Sequence, residues 1–167
     1  RTDPWVNLLR DTIACFAAAA GGADAITVLP YDHALGLPTA FSRRVARNTQ
    51  SLLSSESNVA RVADPAGGSA YVETLTDELA RAAWAWFGEL DAAGGAAAGL
   101  ASGAVAERLA ATRAERDAAL VTRALPLTGT STFPLAGETL LERTARAELP
   151  GEGLPRRRDG EVFEALR

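Results

Sequence analysis

Asp32 and His33 stand side by side just after a short apolar run that Pro30 ends, and His33 is the chain's single histidine. An imidazole beside a carboxylate suits general acid–base work or metal binding, but either use needs partners. No second histidine and no cysteine lies at metal-ligand spacing, and Asp24 or Asp32 would orient the ring only if the fold brought it round. A structural or surface histidine is the favoured reading. Gly67-Gly68-Ser69 follows a predicted strand and opens a predicted helix, where free N–H groups suit an anion and Ser69 could cap or bind. No GK[ST] follows, so a tight turn with a cap is the default and phosphate contact the alternative. Gly21-Gly22 ends a helix and opens a strand, the reverse of a dinucleotide fingerprint. Arg43, Arg44 and Arg47 read as a solvated or subunit-facing helix face, with an acidic cofactor such as coenzyme A as the lesser reading. Cys15 falls in an apolar helical stretch and reads as a buried, inert thiol. Spacing alone assembles no catalytic set and no metal set.

The composition narrows the classes further. All 17 basic residues are arginine and the net charge is −4. Without lysine there is no Schiff-base nucleophile, pyridoxal-phosphate anchor or P-loop lysine in this chain. The acidic balance argues against nucleic-acid binding by bulk electrostatics. Apolar residues make up 47% of the chain, yet no run approaches the roughly 18 that a membrane span needs. One cysteine rules out an internal disulfide and fits a reducing, cytoplasmic setting. The chain begins at Arg1 and contains no methionine, so it reads as a fragment or a trimmed product.

Elements that could position these residues follow from the periodicity. Asp3-Pro4 looks like an N-cap and first helical residue, and Val6, Leu9, Ile13, Phe16, Ala17 and Ala20 share a helical face. Ala25 to Leu29 is a strand candidate. Thr39 can cap a second helix with Phe41, Val45, Thr49, Leu52 and Leu53 on one face. Val59 to Ala63 is a second strand candidate. A long helix follows, with Val72, Leu75, Leu79, Ala83, Trp86 and Leu90 on one side, and with Trp84 and Phe87 as further core or interface anchors. The first 93 residues thus alternate as parallel α/β structure does. Two strands leave open edges, so the pattern reads as the end of a larger sheet or barrel. Ala96 to Arg123 reads as helix, interrupted at Ser102-Gly103. Beyond Leu125, proline, glycine and threonine dominate, and only Asp159 to Arg167 looks helical, with Val162, Phe163 and Leu166 on one side. A tail of that kind suits packing across another surface.

The stretches DPWVNLLRDTIACFAAAAGGADAITVLPYDHALGLPTAFSRRVARNTQ and VADPAGGSAYVE resemble the cobalamin-dependent methylmalonyl-CoA mutases, with RNTQ and DPxGGS as specific signatures. The match runs from Asp3 to about Gly95. The resemblance implies an α/β fold: residues 1–95 as the last βα units of an acyl-CoA-binding (β/α)8 barrel, 96–123 as a helical extension, and 124–167 as an extended tail with a short helix. Barrel sites lie at strand C-termini, so on that model the ends at Leu29 to His33 and at Asp64 to Ser69 would face substrate and corrin. The resemblance further implies that Asp24, Thr27 and Glu56 are positions facing cofactor or substrate in the family. Catalytic members carry glutamine where Asp24 stands, histidine at Thr27, asparagine at Leu29, glutamate at His33 and tryptophan at Ala66. Asp32, Asn48, Glu56 and Asp64 match. That pattern is similar to the small, non-catalytic subunit of a bacterial heterodimer. It implies adenosylcobalamin in the holoenzyme, a catalytic large subunit as partner, and isomerisation of methylmalonyl-CoA to succinyl-CoA. A catalytic mutase for another acyl-CoA, or a stand-alone acyl-CoA-binding or scaffold protein, are the alternatives.

Overall fold

The computed structural model describes residues 1–147 and 157–165. Its elements are helical: α1 (Val6–Ala20), α2 (Ala40–Ser55), a single 3-10 turn (Val59–Arg61), α3 (Ala70–Ala92), α4 (Gly95–Ser102), α5 (Ala104–Val121) and α6 (Glu161–Glu164). They form two compact units, Arg1–Pro65 with Pro126–Arg167, and Ala66–Leu125.

The expected end of a (β/α)8 barrel is not what forms. Among the described residues there is no sheet, only one isolated bridge between Thr128 and Thr132. Residues 25–30 run without regular structure, and the carbonyl of Ile26 accepts from the Gln50 side-chain amide (3.1 Å) rather than from a neighbouring strand. Asn58 turns left-handed (φ 61°) and sends Val59–Arg61 into the 3-10 turn. Alternating apolar residues favour a strand only where a second backbone supplies the ladder. Neither segment meets one here, so β-branched composition alone does not make a strand.

The helices form where their ends dictate. Thr39 is extended, and its hydroxyl accepts from the Ser42 amide at 3.1 Å, starting α2 as expected. Gly21 closes α1, with Gly22 left-handed at φ 74°. The start of α1 differs from the expectation: Asp3 has φ 44° and its amide donates to Glu138 Oε1 (2.6 Å), so it engages the tail instead of capping. The helix opens two residues later.

In the first unit, α1 packs on α2 and the buried apolar residues are Cys15, Tyr31, Ala46 and Leu53. Tyr31 stacks on Trp5 with ring centroids 4.9 Å apart, the offset geometry that aromatic quadrupoles prefer. The stripe expected to face a core stays open, with Leu9 65% and Ile13 69% exposed. A sheet is what such a stripe would cover, and here none lies over it. In the second unit α4 packs on α3 and α5. Gly99 is buried there, and a Cβ at that position would lie 2.8 Å from Leu90 Cδ2 and 3.3 Å from Val105 Cγ2. Gly103 (φ 86°) separates α4 from α5, at the interruption the sequence suggested. Leu149 to Pro155 and Leu166 lie outside the described residues.

Thr39→Ala removes the cap of α2 beside the fully buried Ser42. It should lower unfolding free energy by about 1 kcal/mol, with Thr39→Ser recovering most of it, as read by urea denaturation.

Candidate functional site

The bend between the first unit's two long helices carries the residues that first suggested chemistry. Its own hydrogen bonds are two turns, His33 N–H to Pro30 O (2.8 Å) and Leu35 N–H to Asp32 O (2.9 Å). With no helix or strand to occupy the remaining carbonyls, arginines from elsewhere do so. Arg1 Nε donates to Ala34 O (3.3 Å), Arg43 Nη1 to Pro38 O (3.0 Å) and Arg146 Nη2 to Gly36 O (3.2 Å).

Asp32 is fully buried. Its Oδ2 accepts from Arg143 Nε at 2.5 Å, while Oδ1 has no hydrogen-bond partner among the described residues. A carboxylate in that position is tolerable because a cation meets it directly. The bond to Asp32 in turn pushes the Arg143 guanidinium above its ordinary value, burial working against the shift and the Tyr31 hydroxyl adding to it. Beside this pair the guanidinium of Arg146 lies 3.0 Å from each ring nitrogen of His33. His33 is therefore engaged by an arginine, not poised as a base by Asp24 or Asp32. Arg143 and Arg146 are the residues that sequence reasoning missed. They lie 111 and 113 positions from their partners, in a stretch with no helical or strand period to mark them.

The expected cofactor-facing positions are not gathered at this bend. Asp24 lines a groove of about 470 Å³ between α1 and α2, together with Cys15, Ile26, Gln50, Leu53 and Val62. Thr27 is exposed and does not line that groove. Glu56 caps the C-terminal end of α2, exposed, its amide bonded to Leu52 O. At Gly67-Gly68-Ser69 the cap reading holds: Ser69 Oγ accepts from Val72 N–H (3.5 Å) and Gly68 N–H is taken by Glu73 Oε1 (3.2 Å). The amide a phosphate would use already faces a carboxylate. Among the described residues no three or more His, Cys, Asp or Glu side chains gather as metal ligands. No helix there is long and apolar enough to cross a membrane.

A second groove, about 620 Å³, is walled by Pro134, Leu135, Leu140 and Glu164. Burial alone would raise the Glu164 carboxyl. The bonds from Arg158 (2.9 and 2.7 Å) instead lower it below its ordinary value. A carboxylate with a depressed folded-state pKa stabilises the fold fully above its unfolded value. That contribution should be lost as pH falls below the ordinary carboxylate range, and Glu164→Gln should flatten the pH dependence of unfolding there.

Comparison with known proteins agrees with these signatures. A family model described as methylmalonyl-CoA mutase matches residues 1–148. A methylmalonyl-CoA mutase small subunit of Streptomyces virginiae is 58% identical over 167 residues, 100% of this chain and 27% of that protein. The small subunit of Propionibacterium freudenreichii subsp. shermanii is 47% identical over 168 residues, 99% of this chain and 26% of that protein. A methylmalonyl-CoA mutase of Escherichia coli (strain K12) is 45% identical over 101 residues, 60% of this chain and 14% of that protein. The chain thus spans about a quarter of the length of the small subunits it matches. RNTQ, DPxGGS and a match that runs from Arg1 past α5 converge on one conclusion: the chain belongs to the methylmalonyl-CoA mutase family.

Proposed function

We propose that this chain is part of the small subunit of an adenosylcobalamin-dependent methylmalonyl-CoA mutase, a non-catalytic element that supports a catalytic large subunit. The observation that carries this reading is the identity of 58% across the whole chain with a protein named as a small subunit. Three departures from the catalytic sequence pattern support the same reading. Leu29, His33 and Ala66 replace the amide, carboxylate and indole of the catalytic pattern, so polar groups of that pattern have changed type. In the assembled enzyme, methylmalonyl-CoA and succinyl-CoA would be interconverted, with the radical chemistry supplied by the cofactor.

The described residues do not fit adenosylcobalamin. Both ring nitrogens of the single imidazole, His33, face the Arg146 guanidinium at 3.0 Å, so neither is presented to a cobalt ion. Asp24 and Thr27 are exposed, with no enclosed surface to hold a macrocycle between them. No catalytic step is therefore routed through this chain. Its residues hold the shape of the bend and offer surface to a partner.

The tail supplies some of that surface. Phe133 is 84% exposed with a left-handed backbone (φ 50°), and Leu135 is 59% exposed. An aromatic held outward in a sparsely populated conformation is a feature that burial against a partner would make favourable, at about 2 kcal/mol per large side chain.

Two measurements test the reading. The purified chain with adenosylcobalamin should convert no methylmalonyl-CoA, and measurable succinyl-CoA above a blank would overturn its non-catalytic assignment. In a small subunit reconstituted with the catalytic subunit, Phe133→Ser should weaken association, whereas His33→Ala should leave turnover within about two-fold. Unchanged association of Phe133→Ser in sedimentation would remove the tail from the interface.

A further inference from the structure

We propose that residues 137–147 are a strap that holds the 31–38 bend in place, with Arg143 as its positioning residue. The bend does not hold itself. Its internal bonds are the two turns at Pro30–His33 and Asp32–Leu35, and it carries at its centre a carboxylate with no exposed surface. On one side α1 grips it: Asn7 Nδ2 donates to Tyr31 O (2.9 Å), and the Tyr31 ring stacks on Trp5. Arg1 and Arg43 each add one bond, to Ala34 O and Pro38 O, and the strap supplies the partner of the buried carboxylate.

Contacts made by three strap residues, Arg143, Thr144 and Arg146, define it. Arg143 Nε meets Asp32 Oδ2 at 2.5 Å. Leu37 N–H donates to Thr144 O at 2.8 Å. Arg146 lies against the His33 ring and donates to Gly36 O at 3.2 Å. Thr144 O also comes so near Gly36 that a Cβ there would overlap it. The strap has no helix or strand of its own over 138–147, so each partner is ordered by the other. The buried ion pair sets the register, because moving the strap by one residue would leave Asp32 buried and uncompensated. Gly36 is required for close approach: any side chain would lift the strap off the bend.

Amide hydrogen exchange on the full 167-residue chain tests this without reference to any partner or turnover. Arg143→Ala should speed exchange of the amides at 33, 35 and 37 at least ten-fold while those of α1 and α2 keep their protection. Arg146→Ala, an exposed change that leaves the buried pair intact, should speed the amides at 35 and 37 several-fold. Unchanged exchange at 33–37 in Arg143→Ala would overturn the strap. So would a uniform rise over the whole chain in Arg143→Ala combined with no local rise in Arg146→Ala, because the ion pair would then be a general core contact.

Discussion

A carboxylate removed from water must find a cation or be neutralised, and Asp32 is removed completely. Its partner Arg143 lies far along the chain, so satisfying this one group obliges the tail to return across the bend. Much else in the first unit is consistent with that requirement. Thr144 is brought into hydrogen-bonding distance of Leu37, Arg146 is brought over His33, and Glu138 reaches the Asp3 amide. Asp3 is left-handed and α1 begins at Val6. The bond that takes the Asp3 amide at the start of the first helix thus comes from a residue 135 positions away.

The arginines around the bend show how a loop without regular structure satisfies its backbone. Buried or half-buried carbonyls need donors, and a guanidinium offers several in a planar fork at the end of a long stem. In a chain whose every basic residue is arginine, that solution is available from several directions at once. The same contacts engage both ring nitrogens of His33 with a guanidinium. The chemistry that the Asp32-His33 doublet suggests is displaced by a structural use of both residues.

The helical faces tell a complementary story. Leu9 and Ile13 on α1 remain open, and α3 has no buried residue. Helix formation itself needs only capping and periodicity, both of which are local, whereas burial of the resulting stripe needs a surface of matching shape. Membership of the methylmalonyl-CoA mutase family, in which the matched small subunits are about four times as long, fits with helices whose apolar faces are not filled from within these residues.

The sequence by itself determined the helices, their breaks and the family. Thr39 and Ser69 are caps whose hydroxyls can reach only nearby amides, Gly22 and Gly103 are stops that tolerate the left-handed backbone angles found there, and RNTQ and DPxGGS are contiguous strings. It also showed correctly that Gly67–Ser69 forms a turn and cap. It could not decide whether Ala25–Leu29 and Val59–Ala63 become strands, because a strand exists only by pairing with another backbone. In the structure one segment is irregular and the other enters a 3-10 turn. Nor could it reveal Arg143 and Arg146 as partners of Asp32 and His33. Nothing in the local pattern distinguishes them from solvated arginines. Only the return of the tail over the bend places each guanidinium at its acceptor, since charge pairing across more than a hundred residues is a property of the folded path.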